Sequence, residues 1–125
     1  MESLGDSAQA AAAYKREREL AQELLKINPR DPALLLVVAQ STAALGDLVR
    51  ARALLASLIK MAPTDPQILF DIAVIYEFRL HDRDQSLKWL AKAIENGQPW
   101  RTIDRSPYLR ELRQDVRFQQ LRRGR

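Results

Sequence analysis

The chain of 125 residues contains no cysteine and a single histidine, His81. Disulfide scaffolds, thiolate zinc sites and cysteine nucleophiles are therefore excluded, as is a polyhistidine metal site. Glycine occurs only at Gly5, Gly46, Gly97 and Gly124, too scattered to form a phosphate-cradling loop. The six prolines lie at 29, 32, 63, 66, 99 and 107, none inside a periodic apolar segment. The longest apolar run, Ala33 to Ala39, falls far short of the roughly 20 residues that a membrane-spanning helix needs. Residues 1–6 lack the basic stretch followed by an apolar block that marks a secretory signal peptide, and they read as a linker. Hydrophobic residues make up 46% and charged residues 29%, enough for both a core and a solvated surface. Few breakers, abundant Ala and Leu and long periodic segments predict an all-α fold in a soluble, cytoplasmic chain with no membrane contact.

What is present is a repeat. Asn28-Pro29-Arg30-Asp31-Pro32 recurs as Ala62-Pro63-Thr64-Asp65-Pro66, and the step from Pro29 to Pro63 equals that from Pro32 to Pro66. The first proline of each pair stops the preceding helix. The Asp before the second proline caps a new helix that starts on that proline. Between the pairs, Gly46-Asp47 supplies a left-handed helix end and the next cap, so residues 32–45 and 48–61 read as two helices. The second unit is one residue longer, around Leu80-His81-Asp82.

A helix-turn-helix unit of about 34 residues resembles the tetratricopeptide repeat (TPR), an αα solenoid family. The resemblance rests on Leu35, Val38, Ala39 and Thr42, then Ala51, Leu55 and Pro63, and in the next unit on Leu69, Ile72, Ala73 and Tyr76, then Ser86, Leu90 and Ala93. It extends back to Tyr14, Ala21, Leu24 and Leu25, which lie one repeat length before Leu48, Leu55, Leu58 and Ile59. Residues 7–28 thus read as the second helix of a partial repeat, followed by repeats at 29–63 and 64–97. A basic helical cap is expected over 98–125, in pieces at Trp100–Asp104, Pro107–Arg113 and Asp115–Arg122. Leu109, Leu112, Arg113, Asp115, Arg117, Phe118 and Leu121 in this ending look like the terminus of TPR regions attached to bacterial serine/threonine protein kinases or winged-helix regulators. That likeness implies a segment of a larger bacterial regulatory protein.

Catalytic constellations are missing. His81 is the one available imidazole, and it falls in a turn beside Asp82 and Asp84, which read as turn and capping residues. No Asp/Glu spacing fits a calcium loop. The expectation is no enzyme activity, no metal and no cofactor. The TPR resemblance instead implies protein or peptide binding in a concave groove lined by the first helix of each repeat. The lining positions carry over to Leu36, Val37 and Gln40, and then to Phe70, Asp71, Val74, Glu77 and Phe78. A peptide with apolar anchors and a basic residue would suit them. The carboxylate-clamp variant of the family needs Lys with Asn or Arg at positions that here carry Leu36, Val37, Phe70 and Asp71, so that specialisation is not expected.

Two alternatives remain. The first is a spacer or homo-oligomerisation module, pairing through Leu20, Leu24 and Ile27 on the truncated N-terminal face. The second is nucleic-acid binding through the tail. Residues 97–125 carry eight arginines against three acidic residues, whereas 1–96 carry 12 basic against 13 acidic, so the net +4 resides in the tail. No aromatic-interleaved platform or recognition helix accompanies it. The preferred reading is a solvated arginine face, with Arg113 and Arg117 pairing locally with Glu111 or Asp115. Trp89 is assigned to the core and Trp100 to anchoring the cap.

Overall fold

The computed structural model describes the backbone of residues 4–124 and the side chains of residues 7–124. Seven α-helices are described: α1 (Leu4–Ile27), α2 (Pro32–Ala44), α3 (Leu48–Lys60), α4 (Pro66–Val74), α5 (Arg83–Glu95), α6 (Trp100–Arg105) and α7 (Val116–Arg123). No strand occurs among the described residues. The chain divides into two compact units, one ending at Ala62 and one beginning at Pro63.

In the first unit α2 packs on both α1 and α3. The α1 helix begins at Leu4, further toward the N-terminus than the linker expected over residues 1–6 allows. The Ala-rich run at 8–13 has the propensity to carry a helix backward, and a glycine in the first turn costs little there. Residues 1–3 lie outside the described part. In the second unit α4 packs on α5, and α5 also meets α7.

The two hairpins, α2–α3 and α4–α5, use the same local chemistry. Asp31 Oδ1 accepts from Ala33 N at 3.0 Å and Leu34 N at 3.3 Å. Asp65 Oδ1 does the same for Gln67 N at 2.8 Å and Ile68 N at 3.4 Å. Asp47 and Asp82 each accept from the amide three residues on, at 3.2 Å, and so start α3 and α5. Such caps each contribute about 1 kcal/mol.

The extra residue of the second hairpin is absorbed inside the helix, upstream of where the sequence suggested. Asp47 N donates to Thr42 O at 3.2 Å, and Asp82 N donates to Tyr76 O at 2.8 Å. Tyr76 is the repeat equivalent of Thr42, but Asp82 falls one position beyond the equivalent of Asp47. Between them α4 widens into a π turn over Ile75–Arg79, with Leu80 N reaching back five residues to Ile75 O at 3.1 Å.

The core matches the small-and-large pattern of the repeat. Ala39, Ala51, Leu55, Ile72, Ala73, Ser86, Leu90 and Ala93 are fully buried. Ser86 Oγ donates to Ala73 O at 2.7 Å across α4 and α5. Trp89 is buried and its Nε1 donates to Gln85 Oε1 at 3.3 Å.

At the C-terminus α6 and α7 lie close to the expected positions, but 107–113 is not one helix. It forms two 3-10 turns, Pro107–Leu109 and Leu112–Gln114. Leu109 and Leu112, both fully buried, are three apart, which is the repeat of a 3-10 helix. Arg113 Nη1 donates to the carbonyls of Ile103 at 3.0 Å and Ser106 at 2.7 Å, bracing the kinked path. Ser106 does not cap with its hydroxyl, which is buried without a partner. Trp100 meets Phe118 edge-on at 6.0 Å, and Arg122 lies over the Trp100 ring at 4.5 Å while pairing with Asp104.

Four left-handed positions end the helices of the hairpins. Gly46 (φ 94°) and His81 (φ 53°) are equivalent, as are Ala62 (φ 51°) and Gly97 (φ 103°). Each pair holds one glycine and one residue with a Cβ. A Cβ added at Gly46 or Gly97 would meet nothing within 4 Å, so its cost is conformational alone. Gly46→Ala and Gly97→Ala should each lower stability in urea unfolding by about 1 kcal/mol. Ala62→Gly and His81→Gly should each raise it by about 0.5–1 kcal/mol, since relief of the left-handed penalty exceeds the added chain entropy. Opposite signs would contradict this account of the turns.

Candidate docking face

The first helix of each hairpin carries the positions expected to meet a partner. The repeat register pairs Leu36 with Phe70, Val37 with Asp71, Gln40 with Val74, Ala43 with Glu77 and Ala44 with Phe78. Burial follows that register. Leu36 and Phe70 are both buried, as are Ala43 and Glu77. The side chains of Leu36, Phe70 and Glu77, three of the expected partner-contacting residues, are withdrawn from solvent in the free chain. In both helices open or half-open positions recur at the same register, four of them with i, i+4, i+7, i+11 numbering, while Leu34 and Ile68 beside them are half-open too. On α2 the four are Ala33, Val37, Gln40 and Ala44, and on α4 and the turn that extends it they are Gln67, Asp71, Val74 and Phe78. Apolar content alone could not separate Phe70, which is buried, from Phe78, which is exposed.

Asp71 stands out on this stripe. Its carboxylate is half-buried and receives one hydrogen bond, from Gln67 Nε2 at 3.0 Å. Gln67 is in turn held by Gln98 Nε2 at 3.4 Å, and Gln98 is buried. Burial pushes the Asp71 carboxyl above the ordinary carboxylate range, the Gln67 amide pulls it down, and Asp65 adds repulsion. No ion pair to Asp71 occurs among the described residues.

Glu77 is handled differently. Arg83 binds it in a fork, Nη2 to Oε2 at 2.7 Å and Nε to Oε1 at 3.2 Å. Arg83 Nη1 also lies 3.7 Å from Asp115 Oδ2. Asp115 caps α7 by accepting from Arg117 N at 2.8 Å and is gripped by the Arg117 guanidinium at 3.1–3.2 Å. Arg117 Nη1 then reaches Asp84 Oδ1 at 2.6 Å. This chain of five charges joins the π turn, the start of α5 and the start of α7. Glu77 raises the Arg83 value through its hydrogen bond, and Asp115 and Asp84 raise that of Arg117. Arg117, side chain and then backbone, holds the Asp115 carboxyl below its usual range. The expected Arg117–Asp115 pair is present, but Arg113 serves carbonyl groups rather than Glu111. Arg113, Arg117 and Arg122 are thus all engaged within the chain.

Next to the π turn, Phe78 and Tyr108 stand exposed and meet edge-to-face at 4.8 Å. The Arg79 guanidinium lies 5.0 Å from the Phe78 ring centre. These residues border an open cleft of about 600 Å³ that Arg110, Glu111 and His81 also line. The cleft needs the C-terminal turn to exist, so residue spacing in the repeats gave no sign of it.

Other surfaces are apolar too. Leu20, Leu24 and Ile27 on α1 are 61%, 50% and 76% exposed. Leu24 thus departs from its repeat counterpart Leu58, which is fully buried. On α3, Leu48, Val49, Ala53 and Ala56 border a shallow apolar hollow of about 430 Å³. No group of three or more His, Asp or Glu residues able to hold a metal ion occurs among the described residues, and no helix there is long and apolar enough to cross a membrane.

Comparison with family models, curated proteins and solved structures finds no match to this chain.

The Asp115 link titrates with a defined sign. A carboxyl depressed in the folded state contributes stability above its unfolded value, near 3.9, and loses it as pH falls through the folded value. Asn at 115 can still cap α7 but carries no charge. Asp115→Asn should therefore lower the urea midpoint at pH 7, with the gap to the parent chain closing below about pH 4. A gap that stays constant down to pH 2 would remove the ionic role assigned to Asp115.

Proposed function

We propose that this chain is a non-catalytic protein-interaction module of tetratricopeptide type, docking a peptide or partner protein on the outward stripe of a hairpin's first helix. The observation that carries this reading is the doubled register of open positions, with a half-buried, cation-free Asp71 among them. A carboxylate kept in a partly apolar setting with one amide donor is disfavoured in the free chain, and a cation on a partner would relieve it. Val74 and Phe78 on the same stripe supply apolar contact, and α2 carries Val37 and Gln40 at the matching positions of its own stripe.

Several features favour binding over catalysis. His81 fills a helix-ending slot that a glycine holds in the first hairpin, which suits a structural role. The repeated Asp-Pro caps and the repeat period support the tetratricopeptide assignment. The terminal run from Leu109 to Leu121 supports a place in a cytoplasmic bacterial regulatory protein. Internal use of Arg113, Arg117 and Arg122 leaves less of the tail charge for nucleic acid.

A photo-crosslinking amino acid placed singly at Gln40, at Val74 and, as control, at Glu19 tests the docking face in cells of the source organism. Discrete crosslinked species at Gln40 and Val74 but not at Glu19 are expected. Equal labelling at all three, or none at the first two, would overturn the reading.

A second reading, self-association, is favoured by the exposed Leu20–Leu24–Ile27 stripe. It requires a sedimentation mass that rises with concentration and falls to that of the monomer in Leu24→Glu. A monomer at every concentration sinks it.

A further inference from the structure

Helix α1 has 24 residues against 13 for α2, the helix it packs on, so α2 can accompany little more than half of its length. The less exposed positions of α1 are Ala11, Tyr14, Arg18, Ala21 and Leu25, the alternating three-and-four spacing by which one helix seats against another. A second seam of the same spacing runs alongside: Ala10, Ala13, Glu17, Leu20, Leu24 and Ile27, all six exposed. This open seam is graded in size, alanine at its start and leucine and isoleucine at its end. Two copies laid antiparallel set Ile27 against the partner subunit's Ala10, Leu24 against the partner subunit's Ala13, and Leu20 level with the partner subunit's Glu17. Large then meets small along the seam, as dense packing requires. A parallel pair would crowd the large residues together at one end and leave the alanine end loosely filled.

The charged edge of the seam selects the same arrangement. Arg16 and Glu23, both exposed, each stand one residue before a seam position, Glu17 and Leu24, and so share one edge. Arg16 has no ion pair among the described residues, and Glu23 has one, with Lys26 at 3.0 Å, in which both side chains are largely exposed. The antiparallel register that matches large with small also brings Arg16 level with the partner subunit's Glu23, and symmetry repeats the pair. The face is complementary to itself in volume and in charge, which a twofold interface demands. We infer that α1 pairs antiparallel with α1 of a second copy of this chain through the seam from Ala10 to Ile27. The inference rests on the self-association reading given above and adds its orientation, register and ionic contacts. It gives company to the alanine-rich length of α1 that α2 leaves uncovered, which as a lone helix is marginal in water.

The chain has no cysteine of its own, so single introduced thiols report the orientation. Ala10→Cys and Ile27→Cys, both at exposed positions and both checked for unchanged circular dichroism, are mixed and oxidised. In the antiparallel pair position 27 lies opposite position 10 and about 25 Å from its own copy. A disulfide joining the two different variants is expected in preference to one joining two copies of either. By sedimentation, Arg16→Glu and Glu23→Arg should each weaken self-association about tenfold, and the double variant should recover to within about threefold of the parent chain. A concentration-dependent dimer that cross-links like positions, or that ignores the charge reversals, would overturn this pairing and leave self-association in place. A monomer at every concentration overturns both, and leaves the docking function of the hairpins standing.

Discussion

The close approach of the two helices within each hairpin is the constraint on which the rest of the architecture depends. Ala73 and Ser86 set it in the second unit, where the serine hydroxyl spans directly to the backbone carbonyl of the facing helix. Their register equivalents in the first unit, Ala39 and Ala51, are likewise fully buried. Small residues there let large neighbours such as Leu55 and Leu90 fill the space on either side, as dense packing demands. Once that spacing is fixed, the length of each turn is no longer free. The second hairpin has one residue too many, and it cannot shift the Ala73–Ser86 contact to accommodate it. The surplus is instead taken up as the π turn at Ile75–Arg79, immediately after the contact.

The π turn in turn determines where charge can go. Glu77 sits within it and is buried, a costly position for an isolated carboxylate. The Arg83 fork compensates it from the first residue of α5, and the remaining Arg83 nitrogen faces Asp115 at the start of α7. The C-terminal segment is thereby tied to the irregular end of α4 by a chain of alternating charges rather than by apolar area alone. This also explains why the excess of arginine in the tail need not signal an anionic partner. Arg117 answers two acids, Arg113 donates to the carbonyls of Ile103 and Ser106, and Arg122 covers Trp100.

Much of the fold was legible because it is written in local chemistry. Asp-Pro starts, the Gly46 stop and the spacing of Leu35, Val38, Ala39, Leu69, Ile72 and Ala73 each act over one or two helical turns. The departures arise where distant residues decide. Leu109 and Leu112 look helical in isolation, yet their three-residue spacing and the Arg113 brace select 3-10 turns. Among the eight residues expected to meet a partner, Leu36, Phe70 and Glu77 are withdrawn because helical spacing gives only relative angle. Which angle faces inward is fixed by tertiary packing, and a single aromatic such as Phe70 reads equally well on either side.

The residues left outward form a pattern that stability alone does not explain. Phe78 occupies the slot that Ala44 fills in the first unit, and it is large, apolar and exposed. Asp71 occupies the slot of Val37; burial pushes its carboxyl above the ordinary range, and the Gln67 amide opposes that shift. Replacing Asp71 by a valine, or Phe78 by an alanine, would make the second hairpin resemble the first and relieve both features. Neither residue contributes to the helix caps, the Ala73–Ser86 approach or the Glu77–Arg83–Asp115 link. Their presence on one stripe, beside a cleft completed by Tyr108 and Arg110, concentrates the unfavourable surface of this unit where a partner could cover it. On the docking function proposed above, the first hairpin, with Val37 and Gln40 at the matching positions, offers the milder surface and α4 the more selective one.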